Sequence, residues 1–354
     1  MRERSGYEMA SVRELMDQPV IQAPMGGGPS CPELAAAVSN AGGLGFLAAG
    51  YKTADEVATE IAATRRLTEA PFGVNVFVPY RPPVDEAALE RYLAELERDA
   101  SSLGLSLGPS AWTDDEWAAK IDVLLRDPVP VVSFAFGCPS REVVSELQQV
   151  GSRVVVTITT SRDVATATEV GVDALCCQGI EAGAHRGGFT DDERDDGFGL
   201  LALLGATRTA TDLPLIAAGG LMDGHDVAAV LAGGAEAAQL GTAFLRSPES
   251  AANDTYKAAV ADGQFELTAI TRAFSGRRAR GLVNRFMLEH PGAPAAYPQI
   301  NSATRPLRAE AARRGDPHGM SLWAGQGYRR AEARPAGEIV DHIAATLNYV
   351  TGDG

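Results

Sequence analysis

Eight short, almost continuously apolar runs punctuate the chain, at residues 20–23, 45–48, 73–77, 131–134, 153–157, 174–177, 214–217 and 237–240. Half-buried strands alternate apolar and polar positions, whereas unbroken runs rich in Val and Ile suit parallel strands covered on both faces. Between the runs, apolar residues recur at helical spacing. In the stretch 31–41, Leu34, Ala37, Val38 and Ala41 share one face, Pro32 suits the first turn, and Gly42-Gly43 ends the pattern. Further helices are predicted over 54–66, 85–103, 115–125, 140–150, 161–170, 198–210 and 223–232, several opened by Thr, Ser or Asp as an N-cap. Eight strands with intervening helices fit an α/β fold, either a closed (β/α)8 TIM barrel or a doubly wound sheet, and the count and spacing favour the barrel. Longer intervals after the third and sixth runs predict extra structure there.

Beyond about residue 250 the pattern changes to Arg- and Pro-rich segments containing Tyr297, Trp323 and Tyr328. The expectation is a barrel over 1–250 and a mostly helical C-terminal cap over 251–354, ending in a helix at 339–350. With 45% apolar and 22% charged residues in 354, the composition is that of a globular protein. No uncharged apolar run reaches membrane-spanning length, so no membrane partner is expected. The balance of 31 basic against 46 acidic side chains leaves a net charge of -15, which repels nucleic acid. Four cysteines are too few for a disulfide scaffold, and Cys176 and Cys177 would face opposite sides of a strand, which suits a reducing cytoplasm. Residues 1–17 mix charges without an apolar core and read as an uncleaved start of a cytoplasmic protein.

In a parallel barrel the working face is the C-terminal end of the strands. The first run leads into Gln22-Ala23-Pro24-Met25-Gly26-Gly27-Gly28-Pro29, where a rigid proline and missing side chains let a flat ligand lie on backbone, or simply form a tight loop. The seventh run ends Ala217-Ala218-Gly219-Gly220 and the eighth Gln239-Leu240-Gly241-Thr242. Exposed N–H groups after these two strands, with the Thr242 hydroxyl, predict a phosphate cradle. No P-loop lysine accompanies them, which points to the phosphate of a resident cofactor. The sixth run exits through Gln178-Gly179-Ile180-Glu181-Ala182-Gly183-Ala184-His185-Arg186-Gly187-Gly188, placing His185 on an open loop at the barrel mouth, able to exchange protons or hydrogen-bond an anion. Gln178 suits the edge of a heteroaromatic ring, Glu181 could orient the loop or the imidazole, and Arg186 reads as solvated. Asn75, a polar amide in an apolar strand, needs a partner, either a ligand ring or neighbouring backbone. No His, Cys or carboxylate pair has metal spacing, so no metal is expected. Cys31 reads as structural, and Ser275 lacks a nucleophile-elbow pattern.

Taken together, Val20-Ile21-Gln22-Ala23-Pro24-Met25-Gly26-Gly27, Phe72-Gly73-Val74-Asn75, Val132-Ser133-Phe134-Ala135-Phe136-Gly137, the Gln178–Gly187 stretch, Ala217-Ala218-Gly219-Gly220, Gln239-Leu240-Gly241-Thr242 and Ala273-Phe274-Ser275-Gly276-Arg277 resemble, in order, the FMN-dependent nitronate monooxygenases. The tail, with Tyr297-Pro298, Pro306-Leu307-Arg308 and Leu322-Trp323-Ala324-Gly325, is similar to that group as well. The resemblance implies a TIM barrel holding non-covalent FMN. Pro24, Met25 and Gly26 would lie against the isoalloxazine, Asn75 and Gln178 at its polar edge, and Gly219, Gly220, Gly241 and Thr242 at the phosphate. Ala23, Gly183 and Gln239 would be further cofactor contacts. It implies His185 as the catalytic residue, acting as a base or as an anion stabiliser, and oxidation of alkyl nitronates of the propionate 3-nitronate type by O2 to a carbonyl compound and nitrite. Ala135 stands where many relatives carry histidine and Ala184 where they carry glycine, which changes how a small anion is held; Ala135 and Tyr297 are the candidate substrate contacts. A flavin-dependent enoyl-acyl carrier protein reductase using NAD(P)H, and an FMN- or phospho-ligand-binding protein without turnover, are the rival readings. The expected partners are a small nitronate and O2, with the chain either a monomer or a homodimer.

Overall fold

The eight apolar runs lie side by side as one parallel sheet. In the computed structural model, which describes residues 11–191 and 197–352, the strands are β1 (Val20–Gln22), β2 (Gly45–Ala48), β3 (Phe72–Phe77), β4 (Val131–Ala135), β5 (Arg153–Ile158), β6 (Ala174–Gln178), then a short β7 (Ala184–His185), β8 (Leu215–Ala218), β9 (Ala237–Leu240), β10 (Thr268–Thr271) and β11 (Ala279–Leu282). Part of the segment read as an uncleaved start, residues 1–10, lies outside the described residues. The sheet order is β1-β9-β8-β6-β5-β4-β3-β2. A parallel bridge between Ile21 and Leu44 joins its two ends, with Gln22 N donating to Leu44 O at 3.0 Å and Leu44 N to Val20 O at 3.0 Å. The ring is therefore closed, and its strands have no free edges.

Closure explains the unbroken apolar runs. One set of strand residues, including Ile21, Phe46, Val131, Val155, Cys176 and Ile216, fills the barrel interior, with Val12 and Met16 beneath it. The alternate set, including Val74, Val132, Val154, Leu175 and Cys177, packs outward against helices. Cys176 and Cys177 accordingly belong to different cores. The outer ring is α1 (Pro32–Asn40), α2 (Ala54–Leu67), then, past α3 (Glu86–Ser102), α4 (Trp117–Arg126), α5 (Arg141–Gln149), α6 (Asp163–Val170), α7 (Leu200–Arg208) and α8 (Gly224–Ala232); α3 packs on the tail, where Leu89, Tyr92 and Leu96 share a core with Phe274, Phe286 and Ile300. Thr53, Asp85, Ser140 and Asp223 accept from first-turn N–H groups, as the N-cap pattern predicts. After β9 come α9 (Asp254–Ala261), α10 (Arg285–Glu289), α11 (Gln299–Ala303), α12 (Arg305–Arg314) and α13 (Ala336–Thr351), the last packing against α8 and α1 to close the ring. Among the described residues no helix is long and apolar enough to cross a membrane.

The segment beyond residue 250 is not helical throughout. β10 and β11 pair antiparallel, and β11 pairs in turn with β7, making a three-stranded sheet across the barrel mouth. Thr268–Thr271 is only partly buried, and Ala279–Leu282 carries Arg280 and Gly281, so neither shows the apolar run that betrays the barrel strands.

Packing between α1 and β2 depends on one missing side chain: a β-carbon at Gly45 would sit 2.0 Å from Ala35 O, a backbone atom that cannot swing aside. Gly45→Ala should lose about 1–3 kcal/mol of stability, read from the urea midpoint; an unchanged midpoint would show that helix and strand have room between them.

Candidate active site

His185 is positioned by a strand, not by the open loop expected from its glycine-rich surroundings. β7 pairs His185 with Ala279 and Ala184 with Arg280, so the tail pins the residue in place. Gln178, at the end of β6, holds the same segment from below: its Nε2 donates to His185 O at 3.1 Å and its Oε1 accepts from Gly187 N at 2.8 Å. Arg186 is not solvated but 2% exposed, its Nη1 donating to Gln178 O at 3.0 Å and Gly179 O at 2.9 Å. The Glu181 carboxylate accepts from Leu200 N and so caps α7, orienting the loop rather than the imidazole. Ala184 has φ +62°, a left-handed conformation that costs a residue with a β-carbon about 1–2 kcal/mol. A glycine at that position would not bear the cost.

The imidazole stands among the rings of Trp323, Tyr297 and Phe136, with centroids 5.5, 5.7 and 5.8 Å away. Its Nε2 lies 2.8 Å from Ser275 Oγ, a residue set aside in the sequence because it has no elbow motif. Beside them is Arg277, 2% exposed, whose Nε donates to Arg186 O at 3.0 Å and whose Nη2 donates to Gly188 O at 2.6 Å. Its guanidinium carbon lies 4.1 Å from the centre of the Phe136 ring. Burial, reinforced by the positive charges of Arg277 and Arg308, pushes the His185 imidazole down to about 3. It is therefore neutral at ordinary pH.

Outboard of the imidazole, a cavity of about 390 Å³ is walled by Tyr51, Phe77, Tyr80, Phe136 and Tyr297, with Arg277 also on its wall. Tyr297 donates its hydroxyl proton to Tyr51 Oη at 3.1 Å, and burial raises both phenols, Tyr51 to about 12. Tyr51 and Phe136 have φ of +68° and +72°, so two walls of the site are held in left-handed backbone. Tyr51 is held by Asp115, whose Oδ1 accepts its N–H at 3.0 Å and whose Oδ2 is 2.7 Å from the buried Lys120 Nζ. Ala135 ends β4 with its carbonyl accepting from Val78 N at 2.9 Å; the cavity wall is formed by its neighbour Phe136. Tyr328 donates its hydroxyl to Phe265 O and is a packing residue. Nothing in the sequence marked Tyr51 or Lys120. Arg277 was visible only as part of a motif, since burial of a charge depends on carbonyls supplied from elsewhere in the chain.

The predicted cofactor residues lie in the C-terminal halves of the strands and in the turns that follow them. Gln22 shapes the first exit, accepting from Phe46 N at 2.9 Å and donating to Ser30 Oγ at 2.9 Å, while Ser30 Oγ also accepts from Met25 N at 2.8 Å. A β-carbon at Gly26 would lie 3.7 Å from both Phe77 and Tyr51, and one at Gly241 would lie 3.4 Å from the Ala23 side chain and 3.7 Å from Met25 Sδ. The Ala23-Pro24-Met25-Gly26 turn therefore adjoins the β9 exit. Asn75 donates its Nδ2 to Ser133 O at 3.1 Å and Oγ at 2.9 Å, so its amide nitrogen serves the neighbouring strand. Gln239 Nε2 reaches Cys176 Sγ at 3.4 Å within the barrel.

At the exits of β6, β8 and β9, the main-chain N–H groups of Gly183, Gly219, Gly220 and Gly241 donate no hydrogen bond among the described residues. Gly219 and Gly220 have φ of +124° and +72°. The tail passes directly over these exits: Gly325 N donates to Thr242 Oγ1 at 3.0 Å, and Gln326 N to Glu181 O at 3.0 Å. A β-carbon at Gly183 would strike Gly325 N at 2.6 Å, and one at Gly327 would strike Gly220 O at 2.7 Å. Unpaired amide donors converging from several strand exits are the donor set that an anionic phosphate requires.

Residues 10–346 match the family model described as nitronate monooxygenase. A nitronate monooxygenase of Pseudomonas aeruginosa is 42% identical over 341 residues, 94% of this chain and 97% of its own, and one of Paraburkholderia phytofirmans is 40% identical over 343 residues, 94% and 93% of the two chains. The solved structure of a nitroalkane oxidase from Streptomyces ansochromogenes superposes with a TM-score of 0.95 at 50% identity, covering 97% of this chain and 99% of that one. With the barrel, the closed mouth and these likenesses in agreement, the chain belongs to the nitronate monooxygenase family.

Proposed function

We propose that this chain binds FMN across the barrel mouth and oxidises alkyl nitronates with O2, releasing nitrite and a carbonyl compound. The observation that carries the reading is the cluster of four unpaired N–H groups at three neighbouring strand exits, on the same end of the barrel as a neutral histidine enclosed by rings. Gly183, Gly219, Gly220 and Gly241 would hold the phosphate, with the Thr242 hydroxyl hydrogen still free to join them while its oxygen accepts from Gly325. Ala23, Pro24, Met25 and Gly26 would supply a flat backbone surface for the ring system, and the Asn75 carbonyl oxygen, Gln178 and Gln239 would border it. When bound, FMN supplies the electron acceptor and the reactivity toward O2.

The protein contributes placement and field. Arg277 brings a positive charge to the cavity wall while its own bonds go to main-chain carbonyls, and that charge attracts an anionic nitronate. Tyr297 and Phe136 separate His185 from the outer cavity, so a substrate reaching the imidazole passes an apolar collar that strips water from it. A space of about 390 Å³ admits nitronates with an organic chain well beyond two carbons.

Purified protein loaded with FMN should be yellow and should release nitrite from an alkyl nitronate under air. Gly220→Val, at φ +72°, should weaken FMN binding by about tenfold or more, followed by quenching of flavin fluorescence. A chain that takes up no FMN would overturn the reading; flavin bleached by NAD(P)H and reoxidised by an enoyl thioester would replace it with a reductase.

The acid side of the stability curve tests the buried imidazole. His185 titrates at about 3 in the folded protein and about 6.5 when unfolded. The unfolded chain therefore takes up the proton first, and stability falls as pH drops from about 6.5 toward 3. In His185→Gln that loss should be shallower by urea denaturation at pH 7 against pH 4.5; equal losses in the two proteins would place the imidazole in water.

A further inference from the structure

The hydrogen bonds around Ser275 decide which nitrogen of His185 carries the proton. Arg277 O accepts from Ser275 Oγ at 3.0 Å, and a carbonyl can only accept, so the single hydroxyl hydrogen is committed there. Arg277 N approaches the same Oγ at 3.3 Å and can only donate. The remaining lone pair of Oγ faces His185 Nε2 at 2.8 Å, and that contact is a hydrogen bond only if Nε2 is the donor. Nδ1 has no partner among the described residues, and it is not one of the buried polar atoms left without a hydrogen bond, so it opens on free space. Among the described residues no other group hydrogen-bonds the ring: Tyr297 gives its hydroxyl proton to Tyr51, Phe136 offers only its ring, and Trp323, whose indole carries an N–H donor, packs on the imidazole without a hydrogen bond to it.

The serine is itself immobilised. Ser275 N and Gly276 N both donate to Arg272 O, at 3.1 and 2.8 Å, and Ser275 is 1% exposed. Gly276 turns the chain at φ +77°, where a β-carbon would lie 2.4 Å from Ala296 O. The backbone that carries the hydroxyl is therefore fixed, and the hydroxyl hydrogen is directed by its acceptor, Arg277 O.

We propose that Ser275 is a positioning residue that locks His185 as its Nε2–H tautomer and presents Nδ1 to the substrate as a bare proton acceptor. The role rests on the function proposed above only in that the substrate lies beside Nδ1. A bare Nδ1 cannot donate to nitronate oxygens. It can take the α-proton of a neutral nitroalkane: the C–H bond breaks, its electron pair remains on the carbon and nitro group as the nitronate, and the proton goes to Nδ1. The resulting imidazolium lies beside Arg277, which opposes it, so neutral nitroalkanes are the slower substrates.

The FMN-loaded enzyme, labelled with 15N-histidine, tests this directly. His185 is assigned among the five histidines by comparison with His185→Asn, and two-bond 15N–1H correlations at neutral pH identify the protonated nitrogen. The expected result is protonated Nε2 and bare Nδ1 in the parent, a mixture of tautomers in Ser275→Ala, and recovery in Ser275→Thr. The ratio of nitroethane to ethylnitronate turnover should fall about tenfold in Ser275→Ala and recover with Thr. A proton on Nδ1 in the parent enzyme, or ring shifts and a turnover ratio that ignore the loss of the hydroxyl, would overturn the proposal. The parent spectrum needs no variant to fold, and a correct tautomer in a protein inert to nitronate would refute the proposed function alone.

Discussion

A buried guanidinium bonded to carbonyls holds the mouth of this barrel together. Arg277 grips Arg186 O and Gly188 O, the residues that follow His185, while its main chain belongs to the tail. Removing a cation of this kind from water is costly, and main-chain carbonyls together with the face of Phe136 offset the cost. Once the charge is in place it sets the electrostatics of its surroundings. Burial and this charge together keep the nearby imidazole neutral, and the segment bearing His185 cannot leave the barrel without breaking these bonds.

The rest of the site is layered on that clamp. β7 would be a two-residue fragment without β11, yet pairing makes it a rigid platform. Gln178 clasps the chain on both sides of Arg186 through its two amide atoms. Three nonglycine residues at the mouth, Tyr51, Phe136 and Ala184, occupy left-handed backbone. Conformations of that kind persist where surrounding packing overdetermines them. Here the determinants are visible: Asp115 on Tyr51 N, Gly187 O on Phe136 N, and the β11 ladder on Ala184.

The barrel was legible because covered parallel strands write themselves as unbroken apolar runs. The glycines at the exits of β8 and β9 were legible because only backbone can approach backbone so closely. The small sheet was not, since β10 and β11 carry polar and small residues and gain their burial from each other. His185 could be singled out from its glycine-rich surroundings, but its strand pairing could not, because its partner Ala279 lies 94 positions onward in a segment without periodicity. Gln178 illustrates the same limit. Its amide suits a ligand edge by chemistry alone, and only the fold shows that both of its polar atoms also bind the chain.

The strap formed by residues 324–327 gives the cradle an uncommon property. It touches the exits of β6, β8 and β9 with its own backbone, so the amides proposed to hold a phosphate and the resting place of the tail share the same few glycines. Occupancy and docking are then thermodynamically linked: any ligand that draws those amides inward also favours the seated strap, in proportion to its saturation. The distal tenth of the polypeptide would thus be a reporter of whether the barrel is filled.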